Sequence, residues 1–188
     1  MIYCCQVNPH RKKERAISMD LILTDSPLSS LPTGGNFRLV NIAEQAIAPC
    51  VGCFGCWIKT PGRCVIRDDA PAIYPHIARC DRLLVVSRLF LGCYDLPMKR
   101  LMERSLPNQQ AFIRLHHGES HHVQRAVKPK ELTVVAYGAQ DEEEQVVFDR
   151  WLARNALNTL AEHYTIHFAD SQAQAEDLAG KVVQAWVN

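Results

Sequence analysis

Four cysteines, Cys50, Cys53, Cys56 and Cys64, fall within the segment Cys-Val-Gly-Cys-Phe-Gly-Cys-Trp-Ile-Lys-Thr-Pro-Gly-Arg-Cys. Three thiols spaced three apart, with a fourth further on, can wrap an iron–sulfur cube from one short loop, and C-x2-C-x2-C is the opening interval of such runs. Gly52 and Gly55 lie between these thiols, where a missing Cβ lets the backbone turn tightly and bring N–H groups towards sulfur. Structural zinc usually takes two C-x2-C pairs separated by a longer stretch, which this segment lacks. A disulfide cluster is the plainer alternative, but cysteines three apart in a tight loop rarely reach bridge geometry. The four thiols are therefore read as a metal or cluster site, with Trp57 shielding it from water.

Other reactive residues carry less. His116, His117, His121 and His122 form two doublets around Gly118-Glu-Ser120. Adjacent histidines point apart on regular structure, so a solvated or interface loop is expected there in preference to a second metal. Cys4, Cys5, Cys80 and Cys93 read as small buried residues. No G-x-G-x-x-G, G-x-S-x-G or paired-carboxylate pattern appears, which argues against Rossmann-type nucleotide binding and against hydrolysis.

The elements that must position these residues alternate between β-type and helical runs. Ile2 to Val7 reads as a first strand and Phe37 to Ile42 as a second. Arg82 to Ser87 and Leu132 to Tyr137 are apolar enough for central parallel strands, and Tyr164 to Phe168 alternates like a half-covered edge. Helices are predicted after Asp95, from Glu142 onward with Phe148, Trp151, Leu152 and Leu160 inward, and after Asp170 or Ser171. Ala16 to Leu23 and Asp68 to Arg79 read as weaker helices, the second interrupted by Pro71 and Pro75. This alternation predicts a parallel sheet with helices on both faces, whose ligands sit beyond the carboxyl ends of the strands. The loops to watch follow Val7, Ile42, Ser87 and Tyr137.

Bulk properties fit one domain over 1–188, carrying a cysteine-rich loop at 50–64. The 188 residues hold 21 basic and 20 acidic side chains, a net charge of +1 that gives no electrostatic case for nucleic acid or anionic membrane. Apolar runs are too short to span a bilayer, and the amino terminus does not read as a secretory signal. Eight cysteines in such a chain suggest a reducing, cytoplasmic setting.

With these residues in view, the chain resembles the flavodoxin-like NAD(P)H-dependent FMN reductases, in particular their iron–sulfur flavoprotein branch. The resemblance rests on Cys50-Val-Gly-Cys-Phe-Gly-Cys-Trp with Cys64, Arg67-Asp-Asp69, Ser87-Arg-Leu-Phe-Leu-Gly-Cys-Tyr94, Lys99, Glu103-Arg104 and the carboxyl-terminal strand–helix pattern. It implies an α/β three-layer sandwich around a five-stranded parallel sheet of order 2-1-3-4-5, with FMN at the strand carboxyl ends. It also implies homodimers or homotetramers that complete each flavin site, and a [4Fe–4S] cluster on Cys50, Cys53, Cys56 and Cys64. Phe90, Gly92 and Tyr94 would wall the flavin ring, with Ser87, Arg88, Leu89, Tyr137 and Gly138 beside it. The family's Ser/Thr/Asn-rich phosphate loop is replaced here by residues 8–18, where Asn8, His10, Arg11, Lys12 and Arg15 could hold the dianion. Arg88 stands where the family commonly carries proline.

The expected function is electron transfer through FMN and a [4Fe–4S] cluster, between NAD(P)H or a reduced carrier and a small-molecule or protein acceptor. The alternatives are a cluster-free NAD(P)H-dependent FMN or quinone reductase, a non-enzymatic electron carrier or redox sensor, and a zinc-stapled module.

Overall fold

The computed structural model describes residues 19–161 and 163–187. Its elements in chain order are β1 (Asp20–Thr24), β2 (Phe37–Asn41), the single turn α1 (Gly55–Ile58), α2 (Ala70–Arg79), β3 (Arg82–Phe90) and β4 (Cys93–Tyr94). They continue with α3 (Leu96–Arg104), β5 (Gln109–His116), β6 (Glu119–Gln124), β7 (Glu131–Tyr137), α4 (Glu142–Asn158), β8 (His163–Ala169) and α5 (Gln172–Val187).

The main sheet runs β2-β1-β3-β7-β8, all parallel, with the short β4 antiparallel to the end of β3. This is the expected 2-1-3-4-5 order, and the side of the sheet to which successive strands are added reverses between β1 and β3. Continuous apolar runs explain the centre: Leu83 to Val86 and Val134 to Ala136 are buried on both faces. At the opposite end of the sheet, Arg82 grips Asp20 with two hydrogen bonds of 2.6 and 2.9 Å and lies over the Trp186 ring at 4.9 Å, tying β1, β3 and α5 together.

Two cores flank the sheet. On one face α2, α3 and α4 contribute Ile73, Tyr74, Ile77, Met98, Leu101, Phe148 and Leu152. On the other, α5 presents Ala175, Ala179 and Val183, and Leu28, Leu31 and Phe37 pack beside it. No helix intervenes between β1 and β2. The connecting segment covers the sheet with loop side chains alone.

Several sequence expectations change. The strand expected at Ile2 to Val7 lies outside the described residues, as do Cys4 and Cys5. The strand that pairs with both β2 and β3 is Asp20–Thr24, so the helix expected from Ala16 to Leu23 is corrected: Leu21, Ile22 and Leu23 are wholly buried, which suits a central strand better than an amphipathic helix. The helix after Asp68 forms over Ala70–Arg79 despite Pro75. Pro71 sits in the first turn, where no N–H is needed, and Ile73, Tyr74, Ile77 and Ala78 bury one face. Leu160 lies beyond α4, with a left-handed φ of 55°. The histidine doublets belong to the β5–β6 hairpin instead of an irregular loop. His121 is buried there between Asn158 at 2.9 Å and Glu119 at 3.1 Å, and His122 packs at a tilt against Trp57, with 4.8 Å between ring centroids.

Candidate functional site

The carboxyl ends of β1, β3 and β7 meet at Asp25. This residue directly follows β1, and its half-buried carboxylate spans the crevice where strand order reverses. It accepts hydrogen bonds from Ser87 Oγ at 2.6 Å, the Arg88 backbone N–H at 3.0 Å and the Tyr137 hydroxyl at 3.1 Å. Burial pushes its carboxyl above the ordinary value. Ser87, Arg88 and Tyr137 pull it back in part, and nearby Asp95 pushes it up again. Three donors aimed at one carboxylate are the arrangement that favours an ionised group. Ser87 and Tyr137 are thus brought together as sequence reasoning expected, but around an acid it did not single out.

The β3–β4 corner beside this crevice is a two-residue hairpin. Leu91 and Gly92 have φ of 52° and 69°, the left-handed pair that suits a tight turn between twisted strands. A Cβ on Gly92 would stand 2.5 Å from Val147 Cγ1, so glycine is required twice over. The turn leaves Phe90 and Leu91 exposed on an open cleft of about 640 Å³ between β3 and α4, lined also by Gln140, Asp141, Glu143, Glu144 and Val147. Gly138 (φ 77°) lies against the Arg88 side chain, whose guanidinium reaches Asp95 at 3.3 Å.

One ring-wall expectation is corrected. Tyr94 points into the core, almost wholly buried, and Leu89, expected beside the ring, borders the cleft but is nearly as buried. Tyr94 packs edge-on to Phe148 and Trp151, 5.3 and 5.2 Å between ring centroids, because alternation along the hairpin sends these side chains inward while Phe90 points out. Asn8, His10, Arg11, Lys12 and Arg15 lie outside the described residues. The loop that leaves the first described strand is 25–36, and two of its N–H groups are already taken: Ser29 and Ser30 both donate to Glu176 Oε1, at 2.5 and 3.0 Å.

The cysteine loop leaves the short turn after β2 and is clamped at both ends by the two acids that follow it. Asp69 accepts from Ala46 N–H at 2.7 Å, and Asp68 from Ala48 N–H at 3.0 Å. Arg104, wholly buried, grips Asp68 at 2.6 and 2.9 Å and donates to Ala48 O at 2.8 Å. Burial works against the Asp68 charge, but Arg104 and the two backbone N–H groups outweigh it and hold the carboxyl below its ordinary value. Inside the clamp, left-handed turns at Gly52 (φ 62°) and Phe54 (φ 54°) coil the chain, and the Cys64 N–H donates to the Tyr74 hydroxyl at 3.0 Å.

Cys50, Cys53, Cys56 and Cys64 are all free and together line one small apolar cavity of about 50 Å³, with Trp57 and Leu106. Burial, followed by the neighbouring Cys64, Cys50 and Cys53, raises the Cys56 thiol. Among the described residues, no group of three or more His, Cys, Asp or Glu side chains closes on a point that could hold a metal ion. The thiols share a cavity without forming a metal site, so the structure lends support neither to the zinc staple nor to the expected [4Fe–4S] cluster. Cys80 is buried, its thiol pushed up to about 11 by burial, and Cys93 is raised by burial too.

No protein-family model matches the chain. A curated "Iron-sulfur flavoprotein" from Methanosarcina thermophila is 33% identical over 67 residues, 36% of this chain and 34% of that protein, so the match spans about a third of the relative's length. Among solved structures, an FMN-dependent NADH-azoreductase from Bacillus anthracis in complex with FMN superposes with a TM-score of 0.54 at 12% identity, over 92% of this chain and 100% of that one. An NAD(P)H:quinone oxidoreductase from Methanothermobacter marburgensis gives 0.53 at 10%, over 91% and 98%. At these identities the likeness is one of architecture. Strand order, flanking helices and these superpositions agree that the chain has a flavodoxin-like fold.

Proposed function

We propose that this chain is a single-domain, flavin-dependent oxidoreductase, of the class of the FMN-binding azoreductases and NAD(P)H:quinone reductases whose fold it shares. The observation that carries this reading is the cleft at the carboxyl ends of β3 and β7, beside the point where strand order reverses and with Phe90 exposed on its edge. A bound flavin would supply the redox chemistry, accepting a hydride or electron pair and releasing electrons singly. The ring end of the cleft fits such a group. Phe90 and Leu91 offer apolar surface, Val147 backs the turn, and Gly138 keeps the β7 loop free of a side chain. Ser87 and Tyr137 hold Asp25 in place at the inner edge. The phosphate end does not fit in the same way, because the N–H groups of loop 25–36 that face Glu176 are already bonded to it.

NAD(P)H or a reduced carrier is the proposed donor, with a small molecule such as a quinone or a redox protein as acceptor. A homodimer or homotetramer that completes the cleft remains part of the proposal. Among the described residues no helix is long and apolar enough to cross a membrane.

A second reading adds a [4Fe–4S] cluster on Cys50, Cys53, Cys56 and Cys64. The comparisons favour the cluster-free alternative. Support for the cluster comes from the short match to an iron–sulfur flavoprotein, with the four thiols that line one apolar cavity as its proposed ligands. A second cavity of about 470 Å³ adjoins Cys50 on the side of Met102 and Leu106 and would suit an acceptor. When bound, such a cluster would carry one electron at a time.

Anaerobic purification with flavin, iron and acid-labile sulfide quantitation tests both readings. Flavin without iron is expected if the cluster-free reading holds. Iron and sulfide near four per chain would promote the second, and Cys56→Ser should then remove iron and spare flavin. No bound flavin, and none taken up on addition, would defeat the main proposal. Sedimentation of the same sample reads the assembly, and a monomer would remove that part.

A further inference from the structure

Five backbone N–H groups at the rim of this sheet share a pattern: the chain's own carboxylates hold them. Asp25 takes the Arg88 N–H at 3.0 Å. Glu144 takes Gly92 N–H at 2.9 Å with one oxygen and Gln140 N–H at 2.7 Å with the other. Glu176 takes those of Ser29 and Ser30. Such N–H groups, and a helix amino terminus behind them, are what a phosphate dianion would need. Here the segment between β1 and β2 contains no helix, and every one of these donors already faces an anion.

Charge around the cleft points the same way. Among the described residues, Asp141, Glu143 and Glu144 line it against one cation, Arg88, whose guanidinium Asp95 engages and whose backbone N–H Asp25 holds. A dianion brought to this rim meets like charge. It could win an N–H only by displacing a carboxylate, which would then lose its partners. Neutral hydroxyls meet no such barrier. An ionised carboxylate offers about four lone-pair sites, and Asp25 uses its two oxygens on three donors, so it can accept one more O–H.

We propose that this crevice selects a flavin without a phosphate ester, binding riboflavin in preference to FMN. The ring lies along Phe90 and Leu91, and a ribityl hydroxyl donates to Asp25. This inference rests on the flavin reading above and names which flavin that site takes.

Titration of the full-length, flavin-stripped protein with riboflavin and with FMN, followed by quenching of flavin fluorescence, tests it. Riboflavin should bind roughly tenfold or more tightly than FMN at low salt, the effect of about one unit of unscreened like charge. Added salt should narrow the gap by strengthening FMN binding alone. Asp25→Asn should raise FMN affinity roughly tenfold while its near-UV circular dichroism stays that of the parent. FMN binding as tightly as riboflavin in the parent would overturn the selectivity and leave the flavin reading standing. FMN affinity unmoved in a folded Asp25→Asn protein would overturn the role of Asp25. Failure of both flavins to bind would overturn the flavin reading itself.

Discussion

Arg104 and Asp68 show how one ion pair holds a reactive loop in place. The guanidinium is wholly buried and the carboxylate nearly so, each with further backbone partners. Removing one partner from such a pair leaves an uncompensated buried charge, so Arg104→Leu should lower stability by about 3 kcal/mol at neutral pH, read from the denaturant midpoint. The pH dependence has a definite sign. The folded Asp68 carboxyl titrates below its ordinary 3.8, so its contribution is fully present above 3.8 and fades as pH falls through the lower folded value. The gap between parent and Arg104→Leu should therefore shrink on acidification, and a gap constant down to the acid limit would refute this account. The sequence made the four cysteines legible through spacing and the two following acids through position. It did not reveal Asp25, because an acid after a three-residue apolar run has no local signature. Its meaning comes from Ser87 and Tyr137, which only the sheet brings to it.

The β3–β4 hairpin depends on Gly92 for both backbone and space. Gly92→Ala would place a Cβ against Val147 at a φ that L side chains rarely adopt, and about 2 kcal/mol of destabilisation is expected. Adding Val147→Ala should recover the steric share but not the backbone share. Full recovery would mean that the left-handed conformation costs nothing here. Among the elements, β3 and β7 could be read directly, since uninterrupted Val and Leu runs suit strands covered on both sides. The helices α3, α4 and α5 were marked by Asp95, by the acidic turn at Glu142 to Glu144 and by Ser171. The β5–β6 hairpin escaped notice because its residues mix histidine, glutamine and arginine with exposed Phe112, Ile113 and Leu115, giving no clean two-residue period. Asp20–Thr24 does not read as a strand for a related reason: its apolar run is short and opens on Asp20, a buried acid paired with Arg82.

At the scale of the whole molecule, the described residues cover the two faces of one sheet unequally. Among them α2, α3 and α4 pack on one side, whereas α5 and the side chains of a loop pack on the other. The abbreviated link from Thr24 to Phe37 also bears on the order in which the chain assembles. Asp20 pairs with Phe37 only a short way along the chain, while β1 must wait for Arg82, and Arg82 for Glu131. Closing a short loop costs less entropy than closing a long one, and contacts near in sequence tend to form early. Pulse-labelling hydrogen exchange during refolding should therefore find amides shared by β1 and β2 protected before those between β3 and β7, and the reverse order would refute this. The helix-free link between β1 and β2 thus leaves a trace in time as well as in shape: the strands it joins are the ones that can knit first.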